Sequence, residues 1–123
     1  MAVESNLTCI NVTPDSDLSA KQYYLAKITS TGCALAAADT DPCYPIQNKP
    51  KPTGEQAVLA IKGVSKVIAG GVIAQGAKVA PTAANGKAQS AASGDRWFGI
   101  ALEAAGADGD IITVLLHNGE ILA

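Results

Sequence analysis

One outline occurs twice in this chain, and it constrains the fold more than any other feature. In the stretch Gly86 to Leu116, GKAQSAASGDRWFGIALEAAGADGDIITVLL, the residues Gly86, Ala88, Ala91, Ala92, Asp95, Phe98 and Ile100 mark the pattern. Fifty-four positions upstream stand Gly32, Ala34, Ala37, Ala38, Asp41, Tyr44 and Ile46. With one residue inserted, Gly54-Glu55 answers Gly109-Asp110, and Leu59 and Ile61 answer Val114 and Leu116. Ala26-Lys27-Ile28 answers Ala77-Lys78-Val79 at the shorter offset of fifty-one. Alanine matches come cheaply in a chain with 23 alanines, so the weight rests on Gly, Asp, the aromatic and the apolar alternation keeping one order. Such self-similarity predicts a small β unit used twice, over approximately 26–61 and 77–116. The competing explanation is coincidence among short strand-and-turn segments.

A chain of 123 residues is one domain's worth and buries roughly two-thirds of its extended surface. Its material is 48% hydrophobic but only 4% aromatic, so the core is built from small and aliphatic side chains. Alanine buries little area at ~25 cal/mol per Å², which barely offsets the ordering of its backbone. A thin core of this kind leans on neighbours, and self-association or docking on a larger surface is expected. With a net charge of −2, 16% charged residues and Arg96 as the sole arginine, the chain lacks the basic cluster that phosphate binding needs. Direct contact with nucleic acid is therefore not expected. The opening MAVESNLTCINV lacks the basic start and long apolar run of a secretory signal, and no apolar run approaches the ~20 residues of a membrane span. Synthesis in the cytoplasm and no membrane association are the expectations. Cys9, Cys33 and Cys43 match neither a zinc nor a redox spacing. They are expected as buried thiols, with a Cys33–Cys43 disulfide as the alternative.

In chain order, residues 1–16 hold a short alternating piece, with Leu7 on one parity and Ile10 and Val12 on the other, ended by Pro14. It lies outside both repeats and is expected either as an arm that pairs elsewhere, with Leu7, Ile10 and Val12 as contacts, or as an edge strand of the domain at 17–123. After a possible helical turn at Asp17-Leu18-Ser19-Ala20, Tyr23 to Thr29 reads as a strand whose hairpin partner is Cys33 to Ala36. DTDPCYPIQNKPKP, residues 39–52, carries four prolines that cannot donate to a ladder, so it is loop or edge. From Gln56 to Ile68, Leu59, Ile61, Ser65 and Val67 share a parity opposite Lys62 and Lys66, with Gly63 marking a bend. A Gly-bounded connector over 69–76 leads into a second hairpin turning at Ala84-Asn85-Gly86. Phe98, Ile100 and Leu102 then alternate with Trp97, Gly99 and Ala101, which predicts one core-facing row and Trp97 opposite it. Ile111 to Leu116 is apolar on both parities, as in a strand covered on both faces. Asn118-Gly119 reads as a last turn. These segments predict an all-β chain: a small barrel or β-tulip-like domain of two similar units, with an N-terminal extension and little helix.

Little here carries chemistry. The sole histidine, His117, has no nucleophile motif beside it, and Asp95, Asp108, Asp110 and Glu55 lie in Gly-rich turns, where carboxylates serve local backbone bonds. Lys87 on its hairpin invites comparison with the modified lysine of biotinyl and lipoyl carriers, but Gly86 and Ala88 replace the neighbours such a lysine needs. No enzyme activity, metal or cofactor is expected. Trp97, off the core-facing row and beside Arg96, has the composition of an interface anchor, or else it caps an open end of the barrel.

Several of these segments, taken in order, resemble one family. Asp17 to Tyr24 (DLSAKQYY), Pro45 to Pro50 (PIQNKP) with Gly54-Glu55, Val64 to Val67 (VSKV), Ile73-Ala74-x-Gly76, Gly86-Lys87-Ala88 and Phe98 to Ala105 (FGIALEAA) are similar to the capsid decoration, or cement, proteins of tailed bacteriophages. The likeness covers about Asp17 to Leu116 and leaves residues 1–16 outside. It implies a barrel or tulip-like domain that binds the major capsid protein on the outer surface of the expanded head. There, often as a homotrimer, it would bridge capsomers against the pressure of packaged DNA. No catalytic residue comes with the resemblance. The alternative from another class is a carrier or ligand-binding β domain of a larger complex.

Overall fold

The computed structural model describes residues 5–82 and 85–123. The first four residues of the expected arm, and Ala84 at the head of the expected Asn-Gly turn, lie outside the described residues. The strands are β1 (Ser5–Val12), β2 (Leu25–Ile28), β3 (Cys33–Leu35), β4 (Tyr44–Pro45), β5 (Ala57–Ile68), β6 (Lys78–Pro81), β7 (Ala88–Ser90), β8 (Arg96–Ala101) and β9 (Ile111–Ile121). No helix occurs among the described residues, as expected of an all-β chain.

Two antiparallel sheets form, one in the order β1-β5-β9-β8-β6-β7 and one in the order β3-β2-β4. Each hairpin comes from turn chemistry followed by apolar residues: β2 returns as β3, and β6 as β7. In both cases the first hairpin strand also takes the next strand of the chain on its other side, β4 beside β2 and β8 beside β6. The turns before β4 and β8 share a construction at the offset of the sequence repeat. Asp41 Oδ2 accepts the N–H groups of Ala37 and Ala38 at 2.9 and 3.0 Å, and Asp95 Oδ2 accepts that of Ala92 at 2.9 Å. Beyond these turns the two stretches differ. β8 is six residues long and runs a ladder with β9, whereas β4, flanked by Pro42 and containing Pro45, is two residues long. It meets β5 through the single Ile46–Leu59 bridge.

That shortfall bears on the expected barrel, which does not close. Among the described residues the large sheet ends at β1 and β7, and one parallel bridge, Ala69 to Ala88, links the end of β5 to β7. Prolines without N–H donors keep β4 from growing into a ladder-forming strand, so β3, β2 and β4 stay a separate three-stranded sheet.

Two apolar clusters form, and each draws on both sheets: Phe98, Val79, Val114, Ile112 and Val67 pack with Leu25 of β2 in the larger, and Leu18, Ile46 and Cys33 pack with Leu59 of β5 in the smaller. Residues 5–12 pair antiparallel with β5, and Ile10 and Val12 pack on the smaller core. Gly63 adopts φ +110°, a conformation open to glycine, where β5 passes from pairing with β1 to pairing with β9. The chain also departs from its expected course on β8 and β9. Phe98 and Ala101 enter the core while Ile100 and Leu102 face out, because the ladder shifts register between Trp97 and Gly99. Asn118-Gly119 does not end β9, which absorbs these residues at the same irregularity and pairs on to Ile121.

Candidate interaction surface

On the outward face of the large sheet, directly paired residues share a side, so cross-strand neighbours can be read from the register. Val64 of β5 pairs with Leu115 of β9, Leu115 with Ile100 of β8, and Ile100 with Lys78 of β6. Further along the same face, Lys66 pairs with Thr113 and Ile68 with Ile111. Leu115 and Ile111 are 43% and 44% exposed, while Ile112 and Val114 between them are buried. The doubly apolar pattern of β9 therefore resolves into one side sunk in the core and one side facing solvent. Thr113 is buried on the outward side, its hydroxyl donating to Glu103 Oε2 at 2.8 Å.

At one end of this face, beyond Leu115, lies the corner formed by β8 and the distal half of β9. Trp97 is 9% exposed, with the His117 ring stacked on it at 4.2 Å between centroids and 2° between planes. Lys78 Nζ lies 4.7 Å from the centre of the same indole. His117 Nε2 is 2.7 Å from Glu120 Oε1. Arg96 Nε donates to Thr40 O at 2.9 Å, and its backbone N–H donates to Asp39 O at 2.8 Å, tying the corner to the loop before β4. Of the residues singled out in the sequence, Arg96 and Trp97 thus stand together on β8. Leu7, Ile10 and Val12 lie on β1, separated from them in the sheet by β5 and β9. Sequence reasoning did not find His117 as the partner of Trp97: twenty residues separate them, and a lone histidine carries no motif.

Several other ionisable groups are engaged within the fold. Hydrogen bonds from the Thr29 and Thr31 hydroxyls hold the Asp15 carboxyl below its ordinary pKa. At Asp41 burial opposes ionisation, yet the Ala37 and Ala38 N–H donors together with Lys27 bring its pKa down overall. Burial pushes the Cys33 and Cys43 thiols up, and both are free and buried. Lys87 Nζ is held 2.9 Å from Asp108, and that hydrogen bond raises its pKa. Among the described residues no group of three His, Cys, Asp or Glu side chains converges to hold a metal ion.

Compared with known families, the sequence matches the model of the phage cement proteins over residues 4–116. The chain belongs to the phage cement protein family. That match bears out the resemblance read from the sequence and extends it, because it begins at residue 4 and so takes in β1, where the sequence likeness started at Asp17. As a member of the cement family the chain is a bacteriophage protein of the capsid-associated kind. Among solved structures, the head fiber gp8.5 N base of bacteriophage phi29 is similar. The TM-score is 0.69 at 18% identity, with 95% of this chain and 99% of that chain covered. At this identity the likeness is one of fold. No curated protein sequence matches the chain.

Proposed function

We propose that this cement-family chain decorates the phage head. It binds the major capsid protein on the outer surface of the expanded shell and stabilises the shell by bridging capsomers. The observation that carries the reading is the outward apolar row of exposed Leu115 between half-buried Val64 and Ile100, on a chain whose family is that of the cement proteins. Apolar side chains aligned on one rigid sheet face supply contact area at little ordering cost, and flanking Lys66 and Lys78 give a polar rim. Many copies on one shell act together through effective concentration, so each contact can stay modest, about 800 Å² per partner or somewhat above. Assembly as a homotrimer, and contacts through Leu7, Ile10 and Val12 of β1 and through the Arg96–Trp97 corner, belong to the same reading. The virion surface is the corresponding location.

The test is to purify phage particles and measure the temperature at which heads release DNA, with the chain present and after it has been stripped by salt. Release at a lower temperature from stripped heads, restored by adding the purified chain, is the expected outcome. Identical release temperatures would overturn the stabilising role.

A further inference from the structure

β5 and β9 run side by side only as far as the Val64–Leu115 pair. Beyond it β5 turns away at Gly63 toward β1 and the Ile46–Leu59 bridge, while β9 continues along β8 through the Leu116, Glu120 and Ile121 pairs. The strands fork, and the edge of β9 from Leu116 onward that faces away from β8 borders the gap. Two adjoining cavities of about 530 and 290 Å³ occupy the fork, sharing Tyr44, Ile61 and His117. The larger is the size of a ligand-binding cleft, and the two together form one trench. Lys62 and Leu116 line the first, Arg96 and Gly119 the second.

The walls have one sign of charge. Lys62 is exposed at one side and Arg96 stands at the other, and no carboxylate lines either cavity. The nearby Glu120 carboxylate is engaged by His117 Nε2 at 2.7 Å. The guanidinium of Arg96 has five donors, of which Nε serves Thr40 O and Nη1 approaches Gly119 O at 3.4 Å. An apolar floor of Tyr44, Ile61 and Leu116 between two cations, beside a strand edge, has the elements of recognition by strand addition. Main-chain hydrogen bonds provide affinity and alternate side chains provide selectivity. We infer that the fork between β5 and β9 is a docking trench for an extended, acidic peptide segment of another protein. The segment would lie along β9 residues 116–121 with apolar side chains on Tyr44 and Ile61 and carboxylates toward Lys62 and Arg96. It shares Arg96 with the proposed capsid contacts but rests on the register and charge of the fork, not on the capsid reading.

The experiment uses the isotope-labelled full chain in solution, titrated with a short peptide of alternating valine and aspartate and, separately, with its valine–lysine counterpart. Amide shifts confined to 116–121 and 61–62, with a perturbed Trp97 indole, are expected for the acidic peptide. Binding at least about tenfold weaker is expected for the basic one and for the Lys62→Glu variant. Circular dichroism on that exposed-site variant checks that it is folded. Equal binding of both peptides, no shifts at millimolar peptide, or shifts mapping to the β1 or β7 edge would each overturn the inference. Concentration-dependent shifts at the fork without peptide would assign it to a second copy of this chain and overturn it equally.

Discussion

Replacing Trp97 by alanine tests how the β8–β9 corner is held together. Trp97 is almost wholly covered, with the His117 ring stacked on it and the Lys78 ammonium against its ring, so its truncation removes a large packed ring rather than a surface group. Removing a buried Trp costs about 3–5 kcal/mol. Within that total the stacked pair accounts for about 0.5–1.5 kcal/mol and the lysine contact for about 0.5–1 kcal/mol. Because Trp97 keeps a small exposed edge, we expect a loss near the lower end, about 3 kcal/mol, which lowers Tm by roughly 12 °C in a domain of this size. His117→Ala should cost about 1 kcal/mol by the same arithmetic. The assay is thermal and urea unfolding of the isolated monomer followed by circular dichroism, since the variant lacks the only tryptophan. A change below about 1 kcal/mol for Trp97→Ala would refute the argument that the indole holds the corner and would return it to the role of a solvent-facing anchor.

Three further outcomes follow from the packing. A Cβ added at Gly99 would sit 2.5 Å from Val114 Cγ1 and 2.6 Å from the Leu115 carbonyl oxygen, so Gly99→Ala should cost about 1–3 kcal/mol in urea unfolding; unchanged stability would contradict the close β8–β9 approach. Deleting residues 1–12 removes the β1–β5 ladder and uncovers the smaller core, so Tm should fall, and a deletion variant as stable as the full chain would contradict that packing. The Asp41 carboxyl has a folded pKa below its unfolded value near 3.9, so its stabilisation is complete above that value and is lost as pH falls through the folded pKa. Asp41→Asn should therefore lower stability at neutral pH and flatten the acid limb of the stability profile, and an unaltered limb would count against the Ala37 and Ala38 hydrogen bonds.

Much of the fold was legible because its signals are local. The Asp41 and Asp95 turns, the hairpins, and the bend at Gly63 follow from residues that dictate their own backbone. The face of β9 was legible only in part: its double apolarity foretold a second covered side, and the exposed Leu115 and Ile111 are what that side presents. What escaped depends on register between distant segments. The shift between Trp97 and Gly99 turns Ile100 outward and brings His117 over the indole, and neither effect has a trace in the spacing of either strand. Barrel closure was expected from two similar units, but closure needs matching ladders, and the prolines around β4 leave the first unit without one. The groove between β5 and β9 likewise exists only because two strands part after pairing.

Binding to heads bears most directly on the central claim. Expanded heads lacking the chain are mixed with purified chain or with Leu115→Asp, sedimented, and the bound copies counted by mass spectrometry. On a strand surface this exposed substitution should change folding stability by no more than about 1 kcal/mol. Saturable binding of the native chain at a fixed number of copies per head, with the variant bound far less, is the result the account predicts. Heads that sediment without the native chain would contradict it.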